Sequence, residues 1–113
     1  MSDVISLTIP AQTHYLGVAS LVLGGIGSRL DLSYERMDDL QLAVLSVLEA
    51  GGDDDEVTVE VAAGDERVSV SLGPLAPGSG SDAGLARVLD PLVDSFESVQ
   101  RDGREWLELQ VSR

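Results

Sequence analysis

Few side chains in this chain could do chemistry, and the absences are as informative as the residues present. Cysteine is missing, which removes disulfides, thiolate metal sites and cysteine nucleophiles together. Lysine is missing, so no P-loop can form, because that motif sets an ammonium against the phosphates. Asparagine is missing as well. His14 is the sole histidine. A catalytic imidazole needs an orienting partner; none can be placed, and His14 is expected on the exposed side of the first helix. Gly78-Ser79-Gly80 could cradle a phosphate with backbone amides, although the stretch from Gly73 to Ser81 has the composition of a flexible loop. Ser46 offers a hydroxyl for phosphorylation, but a serine in mid-helix on a buried face suits packing. Trp106 runs in opposite strand phase to Leu107 and Leu109. It is therefore expected away from the helix-covered face, as edge packing or as an interface anchor.

The charge narrows the partners. The 113 residues hold 7 basic and 20 acidic side chains, a net charge of −13. The cations are Arg29, Arg36, Arg67, Arg87, Arg101, Arg104 and Arg113, scattered among carboxylates. Nucleic acid and anionic membrane surfaces demand clustered cations, so neither suits this chain. Two readings of the charge stay open: a self-repelling soluble surface, or an acidic face built for a basic protein. Hydrophobic residues make up 43%, enough to fill a core, which sets the chain apart from a disordered acidic tail. The length fits one domain over residues 1–113. No apolar run reaches the ~18 residues of a membrane span. Met1-Ser2-Asp3 opens acidic rather than as a secretory signal, so a cytoplasmic protein is expected.

The elements follow from periodicity. Val4 to Ile9 alternates as a strand, with Ile5, Leu7 and Ile9 on one face, and Pro10 ends its ladder. From Ala11 to about Leu30, Tyr15, Val18, Ala19, Val22 and Ile26 form one helical stripe. Gly24, Gly25 and Gly27 weaken its last turns while permitting close packing. Ser33 is set to cap a second helix with Glu35 in its first turn. Met37, Leu40, Val44, Val47 and Leu48 are its buried stripe, widened by Leu42 and Leu45. Gly51-Gly52 ends it. Two strands follow, carrying Val57, Val59 and Val61, then Val68, Val70 and Leu72, joined at Gly64-Asp65. A third helix begins near Asp82 with Leu85, Val88, Leu89, Leu92 and Phe96 in phase, but Pro91 must kink or stop it. Phe96 to Arg101 and Arg104 to Val111 form a last hairpin about Asp102-Gly103. The order β-α-α-β-β-α-β-β predicts a two-layer α/β sandwich, with a mixed or antiparallel sheet and helices on one face.

That order, with three local strings, resembles the anti-sigma-factor serine kinases, within the histidine-kinase-like and Hsp90-like (Bergerat-type) ATPases. Ile9-Pro-Ala-Gln-Thr-His-Tyr15-Leu-Gly17 is similar to the family's Pro-Ala string followed by Tyr and an apolar residue. Ser33-Tyr34 with Asp38-Asp39-Leu40-Gln-Leu42-Ala43-Val44 is similar to its second-helix signature. Gly84-Leu85-Ala-Arg-Val88-Leu89-Asp-Pro-Leu92-Val93-Asp94 is similar to its Gly-Leu-Gly-Leu segment and the helix after it.

The resemblance implies a glutamate base, an asparagine four residues later that holds Mg²⁺, and an aspartate that accepts a bond from adenine. A carboxylate can take a proton, and a neutral amide oxygen can ligate a hard cation. Carried onto this chain, the base position falls on Ser46, the metal-ligand position on Ala50 and the adenine position on Gly73. Without asparagine no register supplies the amide. One rescue register pairs Glu49 with Asp53, at the cost of inserted residues and a helix that should already have ended. Gly78, Gly80 and Gly84 are weak candidates for a phosphate loop, in a lid region shorter than the family's. Ser20 stands where the family often carries a partner-contacting arginine. The expectation is a regulatory relative that holds no cofactor and binds a sigma factor or an anti-sigma antagonist, with a homodimer through the first strand and helix. The alternatives are an active kinase using ATP and Mg, and an unrelated α+β ligand-sensing module.

Overall fold

The computed structural model describes residues 3–51 and 54–112. Strand β1 (Asp3–Pro10) leads through a 3-10 turn into helix α1 (Leu16–Leu30) and then α2 (Tyr34–Glu49). Strands β2 (Glu56–Ala63) and β3 (Arg67–Leu75) follow, then a 3-10 turn (Ser79–Ser81) and helix α3 (Ala83–Leu89). Strands β4 (Ser95–Arg101) and β5 (Arg104–Ser112) close the order. The sheet runs β1-β2-β3-β5-β4, and every pairing is antiparallel. The expected α/β sandwich is present, and its sheet is wholly antiparallel rather than mixed.

Alternation decides which face of the sheet is dry. Val57, Val59, Val61, Val68, Val70, Leu72, Leu107, Leu109 and Val111 are buried in one core with the helices. Thr8, Thr58, Glu60, Ser69 and Gln110 take the other face, where the Thr8 and Thr58 hydroxyls meet at 2.8 Å. The β4–β5 turn has Asp102 at φ 52° and Gly103 at φ 75°, the left-handed pair that an Asp-Gly hairpin requires.

α1 and α2 form a hairpin on the dry face. The Ser33 hydroxyl accepts the Arg36 N–H at 3.2 Å, the cap expected from sequence. Of the three glycines expected to permit close packing, Gly24 and Gly27 bring the helices together, while a Cβ on Gly25 would meet open space. A Cβ on Gly24 would stand 3.0 Å from Gln41 Nε2, and one on Gly27 would stand 3.0 Å from Met37 Sδ. Gln41 Nε2 also donates to the Ser20 carbonyl at 2.8 Å.

Three expectations are corrected. The buried stripe of α1 is Leu16, Ala19, Leu23, Gly27 and Leu30, while Tyr15 and Val18 are exposed and Val22 and Ile26 half-buried. The helix is apolar nearly all round, so two stripes compete, and the one holding Gly27 wins because it admits Met37. Leu42 is 52% exposed and Leu45 only half-buried. At roughly 100° per residue, Leu42 lies about 200° round α2 from Leu40, on the outer side. The stretch read as a loop from Gly73 begins later, because β3 continues through Gly73 and Pro74 to Leu75. A register shift between Leu72 and Leu75 lets the ladder pass a proline that has no N–H to give. As for Pro91, α3 stops at Leu89, leaving Val88 exposed while Val93 is buried.

The end of β5 is pinned to α2. Asp94 accepts the Ser112 N–H at 2.6 Å and the Arg36 guanidinium at 3.1 Å, and Arg36 also donates to the Ser112 hydroxyl at 2.8 Å. The Ser112 hydroxyl and N–H hold the Asp94 carboxyl below its usual range, desolvation opposes them, and Arg36 adds to them. A depressed folded pKa means the clasp stabilises fully above the unfolded value, ~3.9, and is lost as pH falls through the folded one. Urea unfolding from pH 7 to 3 should therefore show wild type losing more stability on acidification than Asp94→Asn. Parallel pH profiles would refute the clasp.

Candidate functional site

The candidate positions are spread over the second half of α2, the end of β3, the chain that follows it and the first turn of α3. Ser46 is half-buried, and its hydroxyl donates to the Leu42 carbonyl one turn back at 2.8 Å. That bond directs the hydroxyl proton at the helix's own backbone. Glu49 is the last residue of α2 and is exposed. It lines a cavity of about 290 Å³ with Leu16, Leu48, Gly51, Val57 and Leu75. Ala50 caps the helix, with its N–H on the Ser46 and Val47 carbonyls at 3.2 Å, and presents only a methyl group. Gly51 takes φ 108°, a left-handed conformation that turns the chain off the helix axis. Asp53 lies outside the described residues. A helix holds residues i and i+4 on one face, and this one ends at Glu49.

Gly73 sits on the far side of the sheet. A Cβ there would fall 2.4 Å from Trp106 Cδ2 and 2.5 Å from its Cγ. The indole lies over the glycine, on the face opposite the helices, as its strand phase predicts. Arg101 covers that indole at 4.4 Å from the ring centroid and reaches Glu60 at 2.8 Å. Four strands are thus tied across the open face, and Trp106 is a packing residue that only a glycine at 73 allows.

Gly78 and Gly80 do converge, on a residue that sequence reasoning missed. Glu105 accepts the Gly78 N–H through Oε1 at 2.9 Å and the Gly80 N–H through Oε2 at 2.5 Å. The Gly80 and Gly78 amides hold its carboxyl below the usual range, desolvation opposes them, and the Ser98 hydroxyl adds to them. The pair of glycine amides therefore holds a carboxylate of its own chain. Glu105 shares the strand phase of Leu107, which is the signal that could have placed it on the loop side. Gly84 is exposed and apart from this pair, in the first turn of α3 behind the Asp82 cap. His14 is exposed, as expected, with its ring 4.2 Å from that of Tyr15. Among the described residues no group of three or more His, Asp or Glu side chains is placed to hold a metal ion. Among them, too, no helix is long and apolar enough to cross a membrane.

No protein-family profile matches the chain. It is similar, however, to the serine-protein kinase RsbW of Listeria monocytogenes serotype 4a (strain HCC23), at 36% identity over 79 residues, 64% of this chain and 50% of that protein. RsbW of Oceanobacillus iheyensis is 45% identical over 42 residues, 37% of this chain and 27% of that one. RsbW of Bacillus subtilis (strain 168) is 40% identical over 43 residues, 38% of this chain and 27% of that one. The chain spans half or less of the length of these curated relatives. The resemblance to the anti-sigma-factor serine kinases is borne out, and the five-stranded antiparallel sheet with three helices is compatible with their fold.

Proposed function

We propose that this chain is a catalytically silent relative of the anti-sigma-factor serine kinases that regulates by binding protein. It is one histidine-kinase-like domain with a shortened lid, working in the cytoplasm. The observation that carries the reading is at the end of α2: Ser46, to which the resemblance carries the base position, has its hydroxyl on the Leu42 carbonyl, and Ala50, to which it carries the metal-ligand position, has no donor atom in its side chain. Two further observations support it. Gly73 cannot gain a side chain without displacing Trp106, and Glu105 occupies the loop amides that a phosphate would need. The side chains present do not fit MgATP.

Its partner is a sigma factor or the small antagonist domain that such kinases phosphorylate, and a homodimer through β1 and α1 fits the exposed edge strand. A net charge of −13 makes the association salt-sensitive. Calorimetric titration of the chain with MgATP is expected to show no binding heat at micromolar concentrations. Micromolar affinity would overturn the reading.

One observation favours a second reading, in which the chain is an active kinase. Glu49 is a carboxylate on the rim of the 290 Å³ cavity, and with Asp53 it would supply base and metal ligand. Transfer of phosphate from ATP to a serine of an antagonist protein, abolished by Glu49→Gln while MgATP binding survives, would establish it.

A further inference from the structure

The outer surface of the helical hairpin carries a groove of about 490 Å³ between the second half of α1 and the first half of α2. Its α1 wall is Gly24 and Gly27, against which Gln41 and Met37 of α2 are packed. Leu32, Tyr34, Met37 and Asp38 line the rest. Met37 is buried at its base, whereas Tyr34 is 92% exposed at its edge. An amphipathic ring standing in water beside a concave apolar surface is the usual makings of an interface anchor.

Charge selects the occupant. Asp31, Glu35 and Asp38 are exposed in the connection and first turns of α2 that border the groove. Arg36 is turned to Asp94 and Ser112, which leaves Arg29, at the end of α1, as the exposed cation of this segment. A second copy would bring the same acidic border to the groove. Like-charge contact argues against it. Length selects the shape. From Tyr34 to Gln41 the groove follows α2 for about 10 Å at ~1.5 Å per residue, enough for two side chains one helical turn apart.

We propose that this groove receives an amphipathic helix of a different protein, with apolar residues at i and i+4 and lysine or arginine along their flanks. This names the partner chemistry for the protein-binding reading above and rests on it. The apolar pair lies over Leu32 and Met37, Tyr34 closes over it, and Asp38 meets the flanking cations.

The probe is a synthetic leucine–lysine helix with leucines at i and i+4, titrated into ¹⁵N-labelled full-length protein. Saturable shift changes should concentrate at Gly24, Gly27, Met37 and Gln41. Asp38→Lys and Tyr34→Ala, both at exposed positions and checked for folding by circular dichroism, should each weaken binding about fivefold to tenfold. A scrambled peptide of the same composition should bind without that localisation. No saturable binding, shifts spread over the acidic surface, equal localisation by the scrambled peptide, or indifference to Asp38→Lys would each overturn the groove. MgATP calorimetry on the same sample separates the two failures. Nucleotide binding sinks the parent reading, while failure of the peptide with silent calorimetry sinks the groove alone.

Discussion

Gly73→Asp, which would put an acid where the resemblance implies an adenine-binding aspartate, should unfold the open face of the sheet rather than create a binding site. A Cβ at 73 would lie 2.4 to 2.8 Å from three atoms of the Trp106 indole, closer than any real Cβ approaches a ring. The indole cannot slide away freely, because Arg101 lies over it and is itself tied to Glu60. Gly73→Ala alone should cost about 2–3 kcal/mol by overpacking, and its melting temperature should fall by about 10 °C. Gly73→Asp should cost more, since it adds a carboxylate to a buried position. A double-mutant cycle measured by urea unfolding tests the cause. In a Trp106→Ala background most of the Gly73→Ala penalty should vanish. Additive penalties would show that the contact is not what excludes a side chain at 73.

Gly80→Ala should detach the chain between β3 and α3 while leaving the sheet intact. Its Cβ would meet Ser98 Cβ at 2.5 Å and Glu105 Oε2 at 2.9 Å. The first of these is anchored to the β4 backbone and cannot swing aside. Overpacking of about 1–3 kcal/mol corresponds to amide exchange at Gly78 and Gly80 that is faster by about tenfold to a hundredfold. Glu105→Gln should loosen the same two amides more gently, because a neutral amide offers one acceptor oxygen where the carboxylate offers two charged ones. The sign with pH follows from the depressed carboxyl: the latch is complete above the ordinary glutamate value, ~4.3, and opens as pH falls through the lower folded value. The Gly80 amide resonance should therefore titrate with a midpoint below the ordinary one. A midpoint at or above it, or unchanged exchange in Gly80→Ala, would refute the latch.

These two glycines mark the boundary between what could be read from residues alone and what could not. Local chemistry was legible. Period-two alternation told the dry face of β2, β3 and β5 from the wet one, Asp102-Gly103 announced its turn, and Ser33 its cap. Each depends on backbone geometry within a few residues. The lack of asparagine and lysine is equally a property of the chain before it folds, and it bears directly on magnesium and phosphate binding.

Tertiary structure decided the rest, because the deciding contacts join residues far apart in the chain. Gly73-Pro74 has the composition of a loop, yet Gly73 pairs with Thr58 of β2, and a register shift between Leu72 and Leu75 carries the β5 ladder past it. α1 had two apolar stripes of nearly equal claim, and only the approach of Met37 to Gly27 chose between them. Gly78 and Gly80 read as a flexible loop and only weakly as a phosphate cradle, whereas β5 sets Glu105 against their amides, 27 and 25 residues later in the chain. A sequence lists the donors it owns. Which acceptor reaches them is a matter of strand register, and register is settled by burial of the whole sheet at once.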